Sequence, residues 1–194
     1  MAVRSFVGLL ACLSCLLSYP ATAYQPSGLY MTFAQPILPP KGFVTMCATQ
    51  PDLCVNPPAA GAVGTTDDLR LLERVNRSVN HVVRQEPDLR TYGRAEVWTP
   101  AGAGRGAVGD CEDIALEKRG ELIKEGFSPR NVFLAVGYAR RIGLHVVLVA
   151  RTGSGDLVLD SRAQEIRSWR NVPYSWIGAQ SAEEPARWFG IKNA

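Results

Sequence analysis

The stretch Gly109-Asp110-Cys111-Glu112-Asp113-Ile114-Ala115 decides how this chain is read. It closes a loop running from Pro100, with glycines at 102, 104, 106 and 109, and it opens a helix predicted over Asp110–Gly126. Asp110 is an N-cap type, which puts Cys111 in the first turn. Free N–H groups and the positive end of the helix dipole stabilise a thiolate there, and the same N–H groups can donate to an oxyanion. Ile114, Ala115, Leu122 and Ile123 give the helix a buried side. A glycine-rich loop before a helix can also cradle a phosphate. Here the Gly-Lys-Ser/Thr ending is missing, and three carboxylates beside Cys111 would repel a phosphate.

A cysteine nucleophile needs a base, and the chain has 2 histidines. His81 lies off the apolar stripe of its predicted helix and reads as a surface group. His145 lies in Leu144-His145-Val146-Val147-Leu148-Val149, an apolar strand. Strands are predicted over 131–138, 144–151 and 156–161, the last two flanking the turn sequence Thr152-Gly153-Ser154-Gly155. If that turn is centred between Gly153 and Ser154, Asp160 faces Val147. It then lies diagonal to His145 on the same side of the sheet, within reach of its ring. An odd-length turn would flip Asp160 to the other face. The even turn permits a Cys111–His145–Asp160 relay of nucleophile, base and orienter. Asp156, nearer the turn, reads as a solvated turn acid.

The carboxylates of Asp110, Glu112 and Asp113 should raise the Cys111 pKa. They read either as helix-start acids complementing the dipole or as hard oxygen ligands, which favour Ca²⁺ over a soft metal.

Outward from this centre, a helix is predicted over Asp67–Gln85, capped by Thr66, with Leu69, Leu72, Val75, Val79 and Val82 or Val83 on its buried face. Residues 56–66 read as a loop, and the proline-bearing segment 24–43 as extended. Residues 1–23 read as a secretory signal: Arg4, an apolar run from Phe6 to Leu17, then Ala21-Thr22-Ala23, with cleavage after Ala23. A lipid anchor at Cys12 or Cys15 is the rival. The apolar run is too short for a membrane helix, and no other run is longer, so an exported soluble protein is expected. Of the remaining cysteines, Cys47 and Cys54 sit seven apart in a stretch read as a loop, and they suit a local disulfide in an oxidising compartment. Cys111 is left over. Hydrophobic residues at 46%, charged residues at 20% and a net charge of +3 exclude a disordered tail and give no case for nucleic acid. The order, helices first and then strands, predicts an α+β domain over residues 44–194.

Gly109-Asp110-Cys111-Glu112-Asp113, Lys118-Arg119, His145-Val146-Val147-Leu148 and Val158-Leu159-Asp160, in that order, resemble the bacterial transglutaminase-like cysteine proteinase family, typified by LapG-type periplasmic proteases. Val75-Asn76, Val79-Asn80, Tyr92-Gly93 and Trp98-Thr99-Pro100 also fit, as do Trp169, Tyr174-Ser175-Trp176 and Trp188. The resemblance spans roughly residues 43 to 190. It implies a papain-like, transglutaminase-type fold with Cys111 as nucleophile, His145 as base and Asp160 as orienter, and a calcium site using Asp110, Glu112 and Asp113. It also implies periplasmic cleavage of a protein substrate. In the LapG type that substrate is a surface adhesin, and an inner-membrane receptor regulates the enzyme. Leu144 stands where the family often carries a small residue, which predicts a narrower cleft. Transglutaminase or deamidase chemistry shares the same thioester step and stays open, as does a non-catalytic binding module.

Overall fold

The computed structural model describes residues 28–57 and 69–192. Residues 1–23, read as a signal, with Cys12 and Cys15, most of the 56–66 loop and the expected Thr66 cap lie outside the described residues. The elements are β1 (Phe33–Ile37), α1 (Lys41–Thr49), α2 (Leu69–Val82), β2 (Arg84–Gln85), α3 (Asp88–Thr91), β3 (Val108–Gly109) and α4 (Cys111–Lys124), followed by β4 (Val132–Ala139), β5 (Gly143–Thr152), β6 (Gly155–Leu159), β7 (Arg167–Ser168), β8 (Ser175–Gln180) and β9 (Trp188–Ile191). Seven strands form one antiparallel sheet in the order β1-β9-β8-β4-β5-β6-β7. The fold is α+β, with the Cys111 helix packed on that sheet. No helix among the described residues is long and apolar enough to cross a membrane.

Strand alternation gives the sheet two covered faces. On β5, Val146, Leu148 and Ala150 meet a core built with Leu72, Val75, Ile114 and Leu122 from α2 and α4. Val147 and Val149 meet a second core with Phe133, Trp169 and Trp176. Each fully buried large apolar side chain contributes about 1.5–3 kcal/mol, so both faces hold the strand that carries His145.

The segment read as extended is strand β1 at Phe33–Ile37 but helical from Lys41. Pro40 precedes the first helical residue, and Phe43 and Met46, one turn apart, bury the helix. Gly42 is required in that turn: a Cβ there would lie 2.3 Å from the Trp98 ring. Cys47 is therefore helical, not in a loop; it is bonded to Cys54, which ends a 3₁₀ turn at Pro51–Cys54.

α2 ends at Val82 rather than Gln85, because the next residues pair elsewhere. The Arg84 N–H donates to the Ala107 carbonyl and the Glu86 N–H to that of Gly109, closing the parallel β2–β3 pair. That pair fixes the chain immediately before Asp110. On the expected stripe Leu72, Val75, Val79 and Val83 are buried, while Leu69 and Val82 are exposed and Leu71 is buried beside it.

α4 departs from the expected one-sided helix. Glu112, Asp113, Glu117, Lys118 and Arg119 are all buried along with Ile114, Ala115 and Leu122. The polar side chains hold loops. Asp113 accepts from the Thr99 N–H at 2.9 Å, Glu117 from the Gly102 N–H at 2.9 Å, and Arg119 donates to Asn56 at 3.1 Å. The glycine-rich loop is thus strapped along α4.

Asp156 is not a solvated turn acid. It is fully buried, accepts from Arg151 Nε and Nη2 at 2.8 Å each, and accepts the Met31 N–H at 2.8 Å. The chain at Leu29–Met31 crosses the hairpin end here, with the Asp156 N–H bonded to the Leu29 carbonyl at 2.9 Å. A partner some 125 residues upstream in the chain leaves no local signal.

Candidate active site

Cys111 is the first residue of α4, with Asp110 at the N-cap position. The Asp110 side chain makes no capping bond. The first intrahelical bond runs from the Ile114 N–H to the Asp110 carbonyl at 3.1 Å, so the earlier N–H groups of the turn have no intrahelical acceptor. Gly109 is forced: a Cβ there would lie 2.7 Å from the Asp113 Cβ. The glycine before Cys111 is thus the space that Asp113 occupies.

The Cys111 Sγ accepts the Val146 N–H at 3.4 Å and lies 3.0 Å from Glu112 Oε2, to which the thiol donates. Burial raises the thiol pKa, and the Glu112 charge raises it further. Among the described residues Cys111 is the free cysteine.

The β5–β6 hairpin has the even turn. Thr152 pairs with Gly155, and the register runs to Leu148 opposite Leu159. Asp160 follows the last residue of β6, and its Oδ1 lies 2.8 Å from His145 Nε2, both residues buried. The structure therefore joins His145 to Asp160 and sets Cys111 against the neighbouring residue, Val146. His81 is exposed on α2.

Asp160 has further donors. The Arg162 N–H reaches Oδ1 at 2.9 Å, and the Tyr174 hydroxyl donates to Oδ2. Burial alone would raise its pKa, but the bonds from His145, Tyr174 and the Arg162 backbone outweigh it and hold the carboxyl down at about 2. The Tyr174 ring lies 5.4 Å from the His145 ring. Sequence reasoning placed Tyr174 only in an aromatic tail; its distance from any motif hid its contact with Asp160.

The loop after Asp160 is clamped from behind. Asn80 donates to the carbonyls of Asp160 and Ala163 at 2.9 Å each, and Asn76 to those of Ala163 and Gln164 at 2.9 and 3.1 Å. Lys118, fully buried, donates to Asn76 Oδ1 at 2.7 Å and approaches the Leu159 carbonyl at 3.4 Å. Burial pushes its ammonium down to about 7 against the pull of the Asp160 charge.

The acids at the start of α4 divide into two groups. Glu112 turns to Cys111, and with Asp110 these three residues bring one ligand atom each within 4.8 Å of one another. Asp110 and Asp113 meet Asp88 of α3 in the second such group. Asp88 Oδ1, Asp110 Oδ1 and Asp113 Oδ2 are buried with no hydrogen-bond partner. Asp88 was missed from sequence, since it lies 22 residues before Asp110 on another element. Its other oxygen accepts the Val97 N–H. Burial and then the charges of Asp110 and Asp88 push Asp113 up to about 7, against the Thr99 N–H that lowers it. Glu112 is raised chiefly by burial. Converging carboxylate oxygens that lack donors fit a hard cation.

The family model of the bacterial transglutaminase-like cysteine proteinases (BTLCP) matches residues 33–194. Solved structures of Legionella pneumophila LapG share the fold. The calcium-bound form has a TM-score of 0.52 at 22% identity, over 79% of this chain and 82% of that one. The EGTA-treated form has a TM-score of 0.53 at 21% identity, over 79% and 78%. A third LapG structure has a TM-score of 0.51 at 23% identity, over 77% and 76%. No curated protein matches the chain. With the family match covering every described element of the sheet and helices, this chain belongs to the bacterial transglutaminase-like cysteine proteinase family and is a cysteine peptidase.

Proposed function

We propose that the protein cleaves a peptide bond in an exported protein through Cys111, His145 and Asp160. The observation that carries this reading is the buried His145–Asp160 pair at 2.8 Å, one residue from the backbone N–H that touches the Cys111 Sγ. Asp160 holds Nε2, which leaves Nδ1 as the nitrogen to take the thiol proton. The Cys111 Sγ then attacks the scissile carbonyl, and N–H groups of the first turn of α4 receive the oxyanion. The leaving amine takes the proton from His145, and water releases the acyl group from Cys111 by the reverse sequence.

Calcium belongs to this reading. Asp88, Asp110 and Asp113 would hold it through the three oxygens that lack donors, with Glu112 adjacent. Bound there, Ca²⁺ supplies positive charge that offsets the carboxylates beside Cys111. The LapG structures prepared in calcium and in EGTA support a calcium site in a chain of this fold. The signal-like residues 1–23 support a periplasmic location, and the resemblance to the LapG type supports an adhesin as substrate and an inner-membrane receptor as regulator.

The test uses the purified protein and its Cys111→Ala variant on the exported proteins of the same cell, in calcium. New N-termini are expected with the wild type and none with the variant. Ammonia release from glutamine without new termini would replace peptide hydrolysis by deamidation or acyl transfer.

A further inference from the structure

Cys111 opens onto a cleft of about 320 Å³ whose walls are apolar. Val146, Trp98 and Trp188 are buried beneath it. Its upper wall is made of Leu38, Leu144 and Ile177, which are 91%, 67% and 46% exposed. Three large apolar side chains left in water around one opening form a patch that needs an occupant. Leu144, expected to narrow the cleft, lines it from an exposed position beside His145.

The charges around the opening restrict that occupant. Glu112 lies beside Cys111 at the inner end, and Glu96 contributes at the exposed side. No Lys or Arg lines the cleft among the described residues. An acidic group entering here would be desolvated among apolar side chains with no Lys or Arg to meet it. Glu96 is also the non-glycine residue at positive φ, 60°, among those described. A left-handed backbone costs such a residue about 1–2 kcal/mol, so the fold holds this wall in a conformation its own preference opposes.

We infer that the cleft is a specificity subsite that takes a large apolar side chain of the substrate, next to the scissile bond, and rejects acidic ones. The inference rests on the peptidase reading for its substrate, and it commits to an extended peptide because Cys111 itself lines the cleft. The volume lies at the low end of ligand pockets, roughly 300–1,000 Å³, and suits one leucine- or phenylalanine-sized group.

The test is alkylation of Cys111 by chloroacetamides of different nitrogen substituent: unsubstituted, isobutyl, benzyl and carboxymethyl. The Sγ displaces chloride to form an S–C bond, and the thiol proton is lost to His145 or solvent. Rates at Cys111 are read by peptide mass spectrometry in calcium and normalised to glutathione. The benzyl and isobutyl reagents are expected to label at least 10-fold faster than the unsubstituted one and to saturate, with carboxymethyl slowest. Leu144→Asp and Ile177→Asp, both at exposed positions, are expected to bring the benzyl advantage close to one while circular dichroism shows the fold retained. Equal normalised rates, an advantage untouched by Leu144→Asp, or no labelling by any reagent would overturn the subsite. A peptide library separates this from the peptidase reading. Cleavage without apolar preference defeats the subsite alone. Apolar-selective labelling with no cleavage of any protein or peptide defeats the peptidase reading alone.

Discussion

Asp160 and the Asp88–Asp110–Asp113 cluster both lie near Cys111, and they are built in opposite ways. Asp160, after β6, receives His145 Nε2, the Arg162 N–H and the Tyr174 hydroxyl. Asp88, Asp110 and Asp113, around the start of α4, each keep one oxygen buried without a donor. The same side chain is held near pKa 2 in the first place and, for Asp113, pushed up to about 7 in the second. Burial alone raises the pKa of both, so the difference lies in what faces the oxygens. Donors make Asp160 a fixed anion, the form that orients a histidine. In the other cluster burial and neighbouring carboxylates raise Asp88 and Asp113 instead.

The largest effect should come from the donor-satisfied region. His145→Ala is expected to abolish cleavage. Asp160→Asn is expected to lower kcat on the order of 10³–10⁴-fold, with the double variant no worse than His145→Ala, because members of a relay do not add. Steady-state kinetics on a cleaved substrate check this, and near-wild-type turnover by Asp160→Asn would break the comparison at its stronger side.

The second test addresses the unsatisfied cluster. Calcium is expected to raise the melting temperature of the wild type with concentration, by about 2.7 kcal/mol of added stability at 100 times its Kd. Asp88→Asn and Asp113→Asn are expected to remove that response, and in chelator Asp113→Asn should be no less stable than wild type, since it relieves repulsion. Calorimetric melting with Ca²⁺ and with EGTA reads both. Loss of the response in Glu112→Gln but not in Asp88→Asn would move the cation to the Asp110–Cys111–Glu112 group.

A smaller effect is expected from Tyr174→Phe, which removes one donor from Asp160. Asp160 has a folded pKa below its ordinary value, so it adds stability above pH 3.8 that is lost as pH falls toward 2. Without the Tyr174 hydroxyl the folded pKa rises, and about 1 kcal/mol of neutral-pH stability should disappear while the acid-induced loss shrinks. Urea unfolding at pH 7 and pH 3 measures the two together, and equal losses at both would mean that Tyr174 only fills space.

The last effect concerns Lys118 and is read in its pH dependence. Its folded pKa, about 7, is below the ordinary 10.5, so between these values the unfolded chain binds more protons and stability rises with pH. Relative to Lys118→Met, the wild type should gain up to about 1.4 kcal/mol per pH unit from pH 7 to 8.5. A pH-independent difference between the two would show that the amine stays charged against Asp160.

What could be read before folding was local. The spacing of Ile114, Ala115 and Leu122 placed a helix behind Cys111, and Thr152-Gly153-Ser154-Gly155 marked a hairpin whose even turn would carry Asp160 toward His145. Turn chemistry and side-chain periodicity act over a few residues, so the sequence alone determined the Cys111 helix and the hairpin, and it left two registers of which the even one brings Asp160 to His145. Other features depended on segments that meet only in three dimensions. Asp88 joins Asp110 and Asp113 because β2 pairs with β3, and Asp156 is buried because the chain at Met31 crosses it. Tyr174 reaches Asp160 across the sheet end, and β1 finds its partner in β9, more than 150 residues later. The tertiary structure decided these because burial and donor supply at a carboxylate are set by whichever segment packs against it, and no local pattern of residues records that choice.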